Sequence, residues 1–104
     1  MGLGDGTYRF GGHEVVVKDG VARLSDGTLA SSTVTMNEAL AKTVRSGIPL
    51  RDAVKMATET PAGVLGLRSK GRIAPGADAD LVLLDDAFDV QWTMVEGRIV
   101  YRRK

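Results

Sequence analysis

The sequence predicts an α+β fold: an N-terminal β-hairpin, two to three helices, and a C-terminal three-stranded β-meander. Three observations predict it. Short β-branched and aromatic runs at both ends are separated by glycine-bearing turn pairs. The middle carries apolar residues at helical spacing behind a capping pattern. Proline and glycine punctuate the passage from one texture to the next.

In the first part, Tyr8 and Phe10 alternate with polar neighbours, Gly11-Gly12 makes a turn, and Val15 to Val17 is β-branched. Asp19-Gly20 is a strong two-residue hairpin signal, Val21 to Leu24 is the return strand, and Asp26-Gly27 marks a further turn. Thr35 and Glu38 have capping-box spacing, and Met36, Ala39, Leu40, Thr43 and Val44 fall on one helical stripe that Gly47 stops. Ile48-Pro49 restarts the chain, and Leu50, Ala53, Val54 and Ala57 form the stripe of a second helix. Thr60-Pro61 is expected to end it, because the residue before a proline avoids the α region; "PAGVLGL" leaves room for one more turn.

From Lys70 the texture is strand and turn. Pro75-Gly76 and Glu96-Gly97 are turn pairs, Leu81 to Leu84 is a continuous apolar strand, and Val90, Trp92 and Met94 alternate with polar residues. Ile99 and Tyr101 share a face of the last strand, and "YRRK" puts charge on a terminal edge. A seam is expected near residues 67–71, dividing a part at 1–68 from one at 69–104.

Bulk properties narrow the function. Lys+Arg number 14 and Asp+Glu 13, so the balance gives no electrostatic reason to expect nucleic acid or an anionic membrane as partner. There is no cysteine, which excludes disulfides and thiolate metal sites. No apolar run approaches the ~20 residues of a membrane helix. "MGLGDGTYRF" has neither a secretory nor a myristoylation pattern, so a soluble cytoplasmic protein is the expectation.

No residue constellation completes a catalytic apparatus. His13 is the single histidine, follows a Gly-Gly turn, and reads as a surface residue. Asp78 to Asp80 and Asp85-Asp86 flank turns, where aspartate ordinarily bonds local N–H groups. Ser25, Ser31 and Ser32 have no neighbouring histidine to act as base, and "GLGDG" lacks the strand-to-helix context of a phosphate loop. The one segment that looks built to meet a ligand is Leu29-Ala30-Ser31-Ser32, read as a loop. Its small side chains would let backbone approach a bound molecule ahead of a helix N-terminus, although a plain capped loop is the simpler account on residues alone.

"GRIAPGADADLVLLD" followed by "VEGRIVY" resembles the C-terminal signature of the metal-dependent amidohydrolase superfamily, and "LRDAVKMATETPAGVLGL" resembles the helix before it. "DGTYRFGG", "VARLSDGTLASSTVTMNEAL" and "AKTVRSGIPLRDAVKMATETPA" narrow this to the N-acetylglucosamine-6-phosphate deacetylase family. The resemblance runs from Gly4 to about Tyr101.

The resemblance implies a C-terminal portion: residues 1–68 as the last hairpin, substrate loop and helices of a (β/α)8 barrel, and 69–104 as strands of the accompanying β-sandwich. It implies a parent enzyme that deacetylates N-acetylglucosamine 6-phosphate with a divalent metal, zinc or similar. Its catalytic Asp and metal ligands match no position here, so this chain is expected to hold no metal and to be inactive alone. The substrate loop carries over to Leu29, Ala30 and Ser31; the family pattern usually has glycine where Ser31 stands. Two other readings stay open, a non-catalytic folding or oligomerisation module and the tail of another amidohydrolase such as a cyclic-amide hydrolase. With its apolar stripes uncovered, the chain is also expected to form a homo-oligomer through exposed strand edges or helix stripes.

Overall fold

The computed structural model describes residues 2–104. Along the chain run β1 (Gly6–Phe10), β2 (His13–Lys18), β3 (Val21–Leu24), β4 (Leu29–Ser32), α1 (Met36–Arg45), α2 (Leu50–Ala57), α3 (Glu59–Val64), β5 (Leu81–Leu84), β6 (Val90–Val95) and β7 (Arg98–Arg102). Two compact units result, one ending at Thr35 and one running from Met36 to Lys104.

The first unit is an antiparallel meander in the order β1-β2-β3-β4. Its turns set the register. Gly11 and Gly12 have φ of 54° and 81°, and Asp19 and Gly20 have φ of 53° and 77°. Two consecutive positive φ values make a type I′ turn, whose twist matches that of the flanking strands. Tyr8 therefore faces Val15, Val15 faces Leu24, and Val17 faces Ala22. Those side chains share one face, where Val15 (2% exposed), Val17 (1%) and Ala22 (2%) form the core against Leu3, Tyr8 and Leu24.

The expected hairpin is thus larger, and the expected loop at Leu29–Ser32 is the edge strand β4. Local bonds turn the chain back onto β3: the Thr28 N–H donates to Asp26 Oδ1 (2.9 Å), and the Leu24 N–H to the Thr28 carbonyl (2.7 Å). Small hydroxyl residues without apolar alternation carry no strand pattern, so the sequence does not announce this strand.

In the second unit three antiparallel helices give way to the expected meander β5-β6-β7. α1 begins where the capping spacing places it, and α1 and α2 each bury one alanine, Ala41 and Ala53. α2 ends earlier than the proline suggests. Thr58 leaves the helical region at φ −131°, ψ −80°, and Pro61 sits in the first turn of α3. A missing N–H is harmless there, because the first-turn donors have no intrahelical partner. Ala74 to Ala77 forms a type II turn, with the Ala77 N–H on the Ala74 carbonyl (3.0 Å) and Gly76 at φ 86°. Glu96-Gly97 makes another I′ turn, at φ 49° and 81°.

Large aliphatic side chains stay uncovered. Met36, Leu50 and Val54 of the two helical stripes are exposed, and Val64, Leu65 and Ile73 are 82%, 73% and 89% exposed. No helix is long and apolar enough to cross a membrane among the described residues.

Two local features hold the stretch between α3 and β5. Gly71, at φ 86°, lies so close to α3 that a Cβ would meet Ala62 Cβ and the Thr58 carbonyl at 2.8 Å each. Lys70 Nζ bridges Asp78 (3.0 Å) and Asp80, while Ser69 Oγ donates to Asp78 and the Glu96 N–H to Asp80 Oδ1 (2.8 Å). The hydrogen bonds from Lys70 hold both carboxyls below the usual carboxylate range, and those carboxylates in turn raise the ammonium.

Gly71→Ala is expected to cost about 1–3 kcal/mol, read as a lower melting temperature, because it joins a left-handed backbone to a hard overlap. Because the folded carboxyl pKa values lie below the unfolded ones, the Asp78 and Asp80 contribution is complete above about pH 4 and fades as pH falls through the lowered folded values. The Lys70 contribution persists through neutrality and fades only above about pH 10.4, as pH rises toward the raised folded value. Lys70→Met is therefore expected to unfold at lower urea than the parent chain at pH 7 and to converge with it on acidification. A gap that stayed constant down to about pH 2 would refute the electrostatic account.

Candidate functional site

The three residues marked for substrate contact, Leu29, Ala30 and Ser31, lie together on β4, at the open side of the first unit's sheet. Pairing with β3 runs Val21 to Ser32, Ala22 to Ser31, then Arg23 to Leu29, which leaves Ala30 as an extra residue in the ladder. A bulge of this kind bends the strand and frees backbone groups that a regular ladder would use. All four β4 residues are exposed. Past the strand, Ser32 Oγ accepts the Val34 N–H (3.1 Å), and Thr33 Oγ1 donates to the Gly20 carbonyl, so the exit from β4 is fixed to the β2–β3 turn. The result is a rigidly mounted edge with small side chains and accessible backbone, able to bond a polyol or carbonyl but not to transfer protons.

A concavity of about 540 Å³ lies elsewhere on this unit, on the outer face of β2 and β3 beside Val16, Lys18 and Arg23, and none of Leu29, Ala30 and Ser31 lines it. Arg23 is held there by its own bond to the Gly27 carbonyl (3.0 Å).

The remaining polar residues have structural work. His13 is exposed at the start of β2, opposite Phe10. Asp26 is held below the usual carboxylate range by its hydrogen bonds with Thr28. Asp85 Oδ1 accepts the N–H groups of Ala87 and Asp89, each at 2.9 Å, and Oδ2 accepts from Gln91 Nε2 (3.0 Å). That cage shapes the β5–β6 turn, where Phe88 stands at φ 65°. Asp78 and Asp80 do come together, but with a lysine ammonium between them.

A divalent cation does not fit these residues. The paired aspartates already share Lys70, and no three His, Cys, Asp or Glu side chains converge among the described residues. Sequence reasoning missed the Ala30 bulge, Lys70 as the partner of both aspartates, and the bond from Asn37 Nδ2 to the Phe88 carbonyl (3.0 Å). Only the charge of Lys70 was visible beforehand; its partners lie eight and ten residues on, across a turn no pattern measures.

Comparison with known proteins fits this arrangement. The model of the amidohydrolase family matches residues 14–100. The N-acetylglucosamine-6-phosphate deacetylase of Bacillus subtilis is 40% identical over 106 residues, covering 99% of this chain and 26% of that protein. The crystal structure of the N-acetylglucosamine-6-phosphate deacetylase from Thermotoga maritima superposes with a TM-score of 0.83 at 45% identity, over 98% of this chain and 28% of that one. A Mycobacterium smegmatis deacetylase mutant, solved in complex with N-acetyl-D-glucosamine-6-phosphate, gives a TM-score of 0.80 at 40% identity, over 95% of this chain and 27% of that one. The chain spans about a quarter of the length of the curated relatives it matches best. With 87 contiguous positions under one family model, from Glu14 to Val100, the chain belongs to the amidohydrolase family.

Proposed function

We propose that this chain forms one side of the sugar pocket in an N-acetylglucosamine-6-phosphate deacetylase, and that hydrolysis requires polypeptide beyond these 104 residues. The observation that carries the reading is the bulged β4 edge: Leu29, Ala30 and Ser31 offer small side chains and freed backbone at the positions where the family resemblance puts substrate contacts. The kinship with amino-sugar-phosphate deacetylases along nearly the whole chain supports it.

In this reading residues 1–68 close the barrel and 69–104 contribute strands to the sandwich. The chain's own role is binding and shape. Ala30 lets the sugar approach the strand, and Ser31, larger than the family's usual glycine, adds a hydroxyl beside it. The divalent metal is held by other polypeptide, and no step of amide cleavage is assigned to a residue here. A sugar phosphate does not cross membranes unaided, so the reading carries a cytoplasmic location with it. The exposed aliphatic stripes make self-association part of the same reading.

The test is a chimera in which this chain replaces the matching quarter of the Bacillus subtilis relative. It is expected to release acetate from N-acetylglucosamine 6-phosphate, while the 104-residue chain alone does not. Ala30→Trp in the chimera is expected to raise KM by about tenfold or more with a smaller change in kcat, the pattern of lost ground-state binding. Acetate release by the chain alone, or a folded chimera that opens cyclic amides and ignores the sugar phosphate, would overturn the proposal.

A further inference from the structure

The sheet of the second unit has two open edges, and their charges are opposite. β5 and β7 are its outer strands. β5 is Leu81-Val82-Leu83-Leu84, with Asp80 before it and Asp85 and Asp86 after it. β7 is Arg98-Ile99-Val100-Tyr101-Arg102, followed by Arg103 and Lys104. Both expose apolar side chains, Val82 and Leu83 on one, Ile99, Val100 and Tyr101 on the other. An outer strand offers unpaired N–H and C=O groups to any chain that can lie beside it, and edges are commonly blunted by charge or a bulge. β7 has both, with its arginines and an extra residue at Val100 in the ladder to β6. β5 has neither within its four residues.

We propose that the β7 edge of one copy adds beside the β5 edge of a second copy, with Arg98 and Arg102 meeting the carboxylates that bracket β5. Like-with-like pairing is opposed. Two β7 edges centred on Val100 set Arg98 opposite Arg102, and two centred β5 edges set Asp80 opposite Asp85; like charges directly across a ladder disfavour it. The mixed pairing is favourable in either strand direction, because each strand carries its charge at both ends. The chain already makes one contact of this type internally, Arg103 Nη1 lying 3.6 Å from Asp89 and 3.9 Å from Asp85. Arg98 and Arg102 make no ion pair among the described residues. The bulge twists β7 and restricts the joined stretch to a short one, which suits a four-residue partner. Since the two surfaces differ, the contact is head-to-tail, leaves a fresh edge at each end, and does not close.

Sedimentation velocity of the 104-residue chain tests this. The expected result is a ladder of species that grows with protein concentration and weakens about tenfold between about 0.1 M and about 1 M salt. Arg98→Glu with Arg102→Glu closes the β7 edge, and Val82→Lys closes the β5 edge. Each variant alone is expected to stay monomeric, and an equal mixture to form a 1:1 dimer and nothing larger. Circular dichroism checks the fold of both, and a synthetic peptide of residues 97–104 added to the unaltered chain, expected to shorten the ladder, serves if a variant does not fold. A closed dimer insensitive to salt and to both variants, or a monomer at every concentration, would overturn the proposal.

Discussion

With only Val15, Val17 and Ala22 deeply buried in the first unit, side-chain packing does little to choose which strand lies beside which. The left-handed turn pairs decide it. Gly11-Gly12 and Asp19-Gly20 each reverse the chain in two residues, and a reversal that tight leaves one register open to the strands on either side. Register in turn sends Tyr8, Val15, Val17, Ala22 and Leu24 to a common face. A slip of one residue would exchange them for Arg9, Val16, Lys18 and Arg23, and no core would remain. The small core is sufficient because the turns, not burial, carry the specification.

The same constraint mounts the candidate site. β4 can be an edge strand with almost no apolar content because β3 is already held in place, and Asp26 and Thr28 return the chain to it. The bulge at Ala30 then interrupts the ladder where small residues are densest. Elsewhere in the fold polar residues are drawn inward to turns and bridges; at β4 the backbone faces out. Ligand contact by main chain needs that combination of a fixed support and an incomplete ladder.

Much of this was legible in the amino-acid order. The turn pairs Gly11-Gly12, Asp19-Gly20 and Glu96-Gly97 are written in residues that tolerate positive φ, and the helix start after Thr35 is written in its capping spacing. Three things were not. β4 has no alternation to betray it. The break at Thr58 precedes the proline that should have caused it, because Pro61 is accommodated inside a first helical turn. Lys70 finds Asp78 and Asp80 only once Ala74 to Ala77 has folded the chain back. Each is a tertiary outcome that local patterns do not encode. The site residues themselves came from family resemblance; composition offered only small side chains and a capped loop.

Within the second unit, α1 reaches the β5–β6 turn through the bond from Asn37 Nδ2 to the Phe88 carbonyl, and α3 meets the descending chain at Gly71. The first is a single polar tether and the second a close backbone approach, so the helical layer and the C-terminal strands are stitched at points and not fused along a face. Such a construction opens in stages. Amide protons of β6, paired on both sides, would exchange with solvent on a slower clock than those of α1, and the helices could loosen while the strands hold.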